Sequence, residues 1–109
     1  MIRINSTDTI GINNGRLEAK AEEKEYFFVK EQIEEILLIT TDMGPFYDDI
    51  GLAVRIDENT AFLIMSEHPR FQPFLFEELK TIVEIDYEAV IKASSCIQNN
   101  VFSVYKRLE

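Results

Sequence analysis

The stretch from residue 60 to residue 83, TAFLIMSEHPRFQPFLFEELKTIV, contains the change of hydrophobic period that decides the fold class. Its first part, residues 61–65, is an apolar run typical of a strand. From Phe71 onward, apolar residues recur at intervals of three and four, which predicts a helix, and Pro73 fits only the first turn of that helix. Strands before this point and helices after it predict an α+β protein.

A hairpin is predicted near the start of the chain. Residues 9–12 and 16–21 flank Asn13-Asn14-Gly15, and Asn and Gly tolerate the positive φ angles of a tight hairpin turn. An acidic turn then leads into a strand around residues 26–29, and an apolar strand follows at 36–40. Residues 30–36 between them are compatible with either a turn or a short helix.

A second hairpin is predicted from residues 50–56 and 60–66, which flank Asp57-Glu58-Asn59. Downstream, Asp86 suits the N-cap of a second helix. The apolar face predicted for that helix comprises Val90, Ile91, Ser94 and Ile97. Residues 101–105, apolar on both faces, predict a strand inside the sheet rather than at its edge.

These elements predict one domain, residues 1–109, of the α+β class. We expect a mainly antiparallel sheet of about six strands, with two helices from the C-terminal half packed on one face. The final strand is expected to return to that sheet.

Charge is concentrated in the middle of the sequence. The chain has a net charge of −9, and residues 42–88 contain eleven acids and three bases. Such a field repels nucleic acid and anionic membranes, because affinity for phosphates depends on Lys and Arg. It attracts a basic protein partner, although moderate negative charge also serves solubility alone.

Cys96 is the single cysteine of the sequence, so an intramolecular disulfide is excluded. Its position beside the apolar face of the second helix predicts a buried, inert thiol. The sequence begins without the pattern of a signal peptide, and no apolar stretch is long enough to span a bilayer. We therefore expect a cytoplasmic protein.

Carboxylates gather around the loop at residues 40–49, TTDMGPFYDD. The residues that could together hold a hard cation are Asp42, Asp48, Asp49, Glu67 and His68. Their spacing does not match a calcium loop, and adjacent Asp48 and Asp49 would point to opposite sides of a strand. We expect no metal, no cofactor and no catalytic residue, and we interpret the loop as a strand connection with carboxylates available to a partner.

Aromatic residues beside these acids suggest where a partner would dock. Phe46 and Tyr47 lie in the polar loop, and Phe76 lies off the apolar stripe of the first predicted helix. An exposed aromatic residue with a charged rim is typical of a protein interface, although Phe76 could equally pack under the N-terminal hairpin. The predicted partner-binding residues are Asp42, Phe46, Tyr47, Asp48, Asp49, Glu67, Phe76, Glu77 and Glu78.

The segments ILLITTDMGPFYDDIGLAV and DYEAVIKASSCIQNNVFSVYK resemble a group of short bacterial proteins with a T-x-D-x-G-P-x-x-x-D loop. Those proteins are similar in size and acidity to the immunity proteins of bacterial toxin systems. The resemblance covers roughly residues 33–107. It implies that Asp42, Gly44, Pro45 and Asp49 belong to a structural or interaction loop rather than to an active site.

The leading hypothesis is a non-enzymatic binding domain for a basic protein, with an immunity-type inhibitor of a toxin or nuclease as its sharper form. One alternative is a small metal-dependent enzyme that uses the carboxylates and His68. Another is a homodimeric structural module formed by pairing of an exposed strand edge.

Overall fold

The computed structural model describes residues 1–41, 50–96 and 98–108. Five predicted partner-binding residues therefore lie outside the described residues: Asp42, Phe46, Tyr47, Asp48 and Asp49. Ile97, which was assigned to the apolar face of the second helix, lies outside them as well.

The α+β class is confirmed. The described strands are β1 (Ile2–Arg3), β2 (Thr9–Asn13), β3 (Arg16–Ala21), β4 (Lys24–Val29), β5 (Glu35–Thr40), β6 (Ile50–Arg55), β7 (Ala61–Met65) and β8 (Asn100–Lys106). The helical segments are α1 (residues 71–81) and α2 (Tyr87–Ser94). Residues 30–36, for which the sequence allowed a turn or a short helix, begin with a short 3₁₀ turn (Lys30–Gln32).

The first sheet is antiparallel, in the order β2-β3-β4. Asn14 and Gly15 turn the predicted hairpin with φ angles of 54° and 76°, and this conformation suits Asn-Gly. The next turn places Glu22 and Glu23 at φ angles of 55° and 63°. Left-handed backbone is costly for residues other than Gly, Asn and Asp, so the second turn is strained where the first is not.

The second sheet has the order β1-β7-β6-β5-β8. Its predicted hairpin, β6 and β7, is confirmed, and so is the return of the final strand, which pairs antiparallel with β5. The described strands divide between two sheets instead of sharing one, and β1 pairs parallel with β7. The prediction that β8 lies inside the sheet is wrong: it is an edge strand, and Val101 is 56% exposed. The strand with residues buried on both faces is β6.

Helix α1 changes its winding along its length. An α-helical turn (Phe71–Pro73) leads into a π-helical turn (Phe74–Glu78) and ends in a 3₁₀ turn (Leu79–Thr81). A π turn inserts an extra residue per turn and re-aims the side chains around it. Here Phe74 and Leu75 point into the core while Phe76 faces outward.

Helix α2 begins as predicted, because the Asp86 carboxylate accepts the N–H of Ala89 at 3.2 Å. Its predicted apolar face is wrong in part. Val90 and Ala93 are buried, whereas Ile91 is 66% exposed and Ser94 is also exposed. The helix therefore packs through positions 87, 90 and 93.

Among the described residues, no helix is long and apolar enough to cross a membrane.

A continuous core joins both sheets and both helices. Phe62 of β7 is fully buried and contacts two aromatic rings of β4, at centroid distances of 5.2 Å to Tyr26 and 6.0 Å to Phe28. The first contact is edge-to-face and the second is tilted, and aromatic contacts of this kind add to the free energy gained by burying the rings. They fix the three-stranded sheet against the five-stranded one.

Candidate protein-binding surface

The two glutamates of helix α1 point in different directions, and Glu78 points toward strand β2. Its Oε1 accepts the N–H of Ile12 at 2.9 Å, and its Oε2 pairs with the Arg70 guanidinium. Arg70 in turn donates through Nε to the carbonyl of Ile10 at 3.1 Å. The ion pair thus occupies hydrogen-bonding groups along the outer edge of β2. Glu78, expected to contact a partner, is engaged in the fold.

Gly11 permits that close approach. A Cβ at this position would lie 2.8 Å from Oε1 of Glu78 and 2.9 Å from Nη2 of Arg70, and real Cβ atoms do not approach other atoms so closely. Glycine therefore lets the side-chain pair lie directly against the strand.

The outward direction of α1 presents Phe76 and Glu77. Phe76 is 40% exposed, and its ring stacks on that of Tyr87, with centroids 6.4 Å apart and planes 17° apart. Tyr87 stands in the first turn of α2 and is half-buried, and burial raises the pKa of its phenol. The stacked rings, Phe76 and Tyr87, are called the aromatic pair below.

Tyr87 also lines an open groove of about 900 Å³. One wall is acidic, formed by the exposed residues Glu84, Asp86 and Glu88. The other is strand β8 with the residues that follow it, and it includes the bases Lys106 and Arg107. The walls are joined where the Asp86 N–H donates to the Val104 carbonyl at 2.8 Å. The aromatic pair thus lies at the acidic wall of a groove whose opposite wall carries two bases.

Among the described residues, no base is bound to the glutamates around the aromatic pair. Within the described part of the chain, Glu77, Glu84 and Glu88 form no salt bridge, whereas Glu78 pairs with Arg70. Their charges therefore remain available to the solvent and to a basic surface. We call the aromatic pair together with these acids the acidic aromatic surface: Phe76, Glu77, Glu84, Asp86, Tyr87 and Glu88.

Glu67 and His68 lie elsewhere. They line a separate groove with Arg3 and Asn5, which shares no residue with the groove at Tyr87. Both ring nitrogens of His68 are engaged: Nδ1 accepts the Arg70 N–H at 3.0 Å, and Nε2 lies 3.0 Å from the carbonyls of Asn5 and Asp8. Since carbonyls only accept, Nε2 carries the proton and His68 holds two loops together.

The metal hypothesis gains nothing from the described residues. Over residues 1–41, 50–96 and 98–108, no three His, Cys, Asp or Glu side chains cluster closely enough to hold a metal ion. Asp42, Asp48 and Asp49, three of the five residues in that hypothesis, lie outside these ranges.

Cys96 is half-buried rather than buried. Thr40 Oγ1 lies 3.5 Å from its Sγ and also 2.6 Å from the carbonyl of Gln98. Hydrogen bonding to Thr40, and to the backbone at Gln98, lowers the pKa of the Cys96 thiol. The prediction that this thiol is buried is wrong, while its inertness stays a prediction.

Of the predicted partner-binding residues that the structure describes, Phe76 and Glu77 lie together on the acidic aromatic surface. Glu78 points toward β2, and Glu67 lies in the other groove. The sequence interpretation omitted Glu84, Asp86, Tyr87 and Glu88 from the site. Asp86 at the N-cap could have indicated them, because the first turn of a helix places its side chains next to the cap.

Comparisons with protein families, with curated proteins and with solved structures find no match.

Proposed function

We propose that this protein is a non-enzymatic, cytoplasmic binding domain that docks a basic protein partner through the acidic aromatic surface. The observation that carries the proposal is the stacked aromatic pair, with Phe76 40% exposed, beside glutamates that form no salt bridge within the described part of the chain. Aromatic residues supply much of the binding energy at protein interfaces when they are desolvated among near-neutral contacts.

The pre-formed stacking supports this role. Phe76 is held against Tyr87 before a partner arrives, so binding orders fewer side-chain torsions and costs less conformational entropy. The surrounding carboxylates steer a basic partner toward the rings and disfavour acidic partners, including nucleic acids.

In the sharper form of the proposal, the partner is a basic toxin or nuclease and the domain is its immunity-type inhibitor. Glu77, Glu84 and Glu88 would then take the places of substrate phosphates, while the aromatic pair fills an apolar pocket beside them. Inhibition would be steric, since the substrate cannot enter an occupied site, and no bond would be made or broken by this chain.

The test is quantitative affinity capture from the native lysate, with the wild type and two variants as baits. Phe76→Ala removes the exposed ring, and the double substitution Glu84→Lys/Glu88→Lys reverses the acidic wall. A matched control, Glu31→Lys/Glu58→Lys, changes net charge equally at exposed positions outside the surface. The captured partner is then purified and its affinity measured at several salt concentrations.

We expect a partner of positive net charge that binds the wild type and the control alike. Phe76→Ala should weaken its affinity about 30-fold, the effect of losing a residue that dominates an interface. Reversal of the acidic wall should slow association and reduce its salt dependence. If the control variant loses as much affinity as the acidic-wall variant, net charge alone governs capture. If affinity is unchanged in both surface variants, this surface is not the binding interface.

A further inference from the structure

Strand β4 is one of the two edge strands of the three-stranded sheet. Ala21 and Lys24 flank a two-residue turn and therefore form a hydrogen-bonded pair, and such pairs alternate along an antiparallel ladder with pairs that are not bonded. Glu25, Phe27 and Val29 occupy the positions that are not bonded. Their N–H and C=O groups consequently point away from β3, toward the open side of the sheet.

This edge is closed at one end and open at the other. The N–H of Val29 donates to Oε1 of Gln32 at 2.9 Å. The outward N–H and C=O groups of Glu25 and Phe27 bond to no other part of the chain that the structure describes. Two donors and two acceptors thus stand free, two residues apart, in the arrangement that another strand requires.

Side chains at this edge favour association. Phe27 and Val29 are 47% and 46% exposed. Residues 16–30 contain four bases and four acids, although the whole chain carries a net charge of −9. Two copies can therefore approach through this sheet without the repulsion that the rest of the surface would impose.

The geometry points to a second copy of this chain as the occupant, with its β4 paired antiparallel to this β4 about a two-fold axis through Tyr26. Glu25 then lies opposite Phe27 of the second copy, and Phe27 opposite Glu25 of the second copy. The two pairs use all four free groups on each strand edge and join the sheets into one of six strands. The neighbouring register, centred on Phe27, needs the N–H of Val29, which is already bonded.

Charge complementarity supports this register. The Arg16 guanidinium lies 4.8 Å from the centre of the Phe27 ring, and Glu25 of one copy lies directly across from that ring in the other. Arg16 already pairs with Glu18 of its own chain, with Nε and Oε2 3.6 Å apart. In the dimer, each Glu25 carboxylate adds a second acid beside the Arg16 guanidinium of the other copy, and the two-fold axis repeats the contact. An unrelated strand would satisfy the backbone groups without supplying this reciprocal ion pair.

Sedimentation equilibrium of the full chain over micromolar to millimolar concentrations tests the pairing. The wild-type mass is expected to rise from 12.7 kDa toward twice that value. Phe27→Pro removes the outward N–H, which makes no bond to β3, and should hold the mass at the monomer value throughout. Phe27→Thr keeps the N–H and suits a strand, so it should retain association; circular dichroism confirms the fold of each variant.

A charge exchange tests the register. Glu25→Arg alone places two guanidinium groups together, and Arg16→Glu alone places two carboxylates together, so each variant should associate at least tenfold more weakly than the wild type. An equimolar mixture restores both ion pairs in a heterodimer and should recover association.

A wild type that stays monomeric at millimolar concentration overturns the inference. So does a dimer that is unaffected by Phe27→Pro, since its interface must lie elsewhere. A mixture that associates no better than its separate components excludes the proposed register.

Discussion

The two edges of the three-stranded sheet are treated in opposite ways. At β2, the Arg70–Glu78 ion pair of the helical layer bonds to the Ile10 carbonyl and the Ile12 N–H. At β4, the equivalent outward groups of Glu25 and Phe27 have no such partner among the described residues. The same sheet therefore presents one edge closed by side chains and one edge with free backbone groups.

This difference shows that closing an edge depends on what packs beside it. Helix α1 contacts β2. Glu78 of the helix and Arg70, the residue before the helix, supply an acceptor and a donor to two outward backbone groups of β2, much as a neighbouring strand would. Beyond β4, only the Gln32 side chain reaches the edge within the described residues, and it closes the end at Val29. Edges left open are where other chains pair.

The largest expected effect comes from opening the closed edge. Glu78→Ala leaves the Ile12 N–H without its acceptor and Arg70 without its counter-charge, so the free energy of unfolding should fall by about 2.5 kcal/mol. Urea denaturation measures the loss, and amide hydrogen exchange should show a faster rate at Ile12.

Glu77→Ala is the matched control, because Glu77 is the adjacent carboxylate and faces solvent. Its effect on unfolding should stay within about 0.5 kcal/mol. Equal effects of the two substitutions would show that the ion pair does not support the edge.

A smaller effect is expected when the Arg70–Glu78 ion pair is displaced from β2 rather than removed. Gly11→Ala introduces a Cβ within 3 Å of both charged side chains and should destabilise the protein by about 1.5 kcal/mol. In the Glu78→Ala background the clash with the carboxylate is gone, so the same substitution should cost less. Additive losses in this double-mutant cycle would mean that Gly11 is needed for another reason.

Much of the fold follows from local patterns in the sequence. Asn14-Gly15, the alternation in β3, the period change at Phe71 and the N-cap at Asp86 each depend on a few neighbouring residues, and each was predicted correctly. The division into two sheets and the edge position of β8 depend on pairings between distant residues. Apolar residues on both faces of β8 indicated a central strand, but part of that surface is exposed.

The candidate site was less predictable for the same reason. Glu77 and Glu78 are neighbours with the same side chain, and the sequence assigned both to a partner. Their different roles arise from the π turn of α1, which aims Glu78 at β2, and from the distant Arg70. The contact between Phe76 and Tyr87 likewise joins two helices, so no local pattern could identify it.

The smallest expected effect concerns the two hairpin turns of this sheet. The turn next to the closed edge has Asn-Gly at positive φ, and the turn before the open edge has Glu22 and Glu23 in the same conformation. Replacing them by Glu22→Asn/Glu23→Gly should raise the free energy of unfolding by about 1 kcal/mol, because left-handed backbone is less costly for Asn and Gly. The reciprocal change, Asn14→Glu/Gly15→Glu, should lower it by a similar amount. Thermal and urea denaturation of both variants measure these two changes in stability. A loss of stability in the first variant would mean that the side chains of Glu22 and Glu23 stabilise their turn by more than its backbone strain costs.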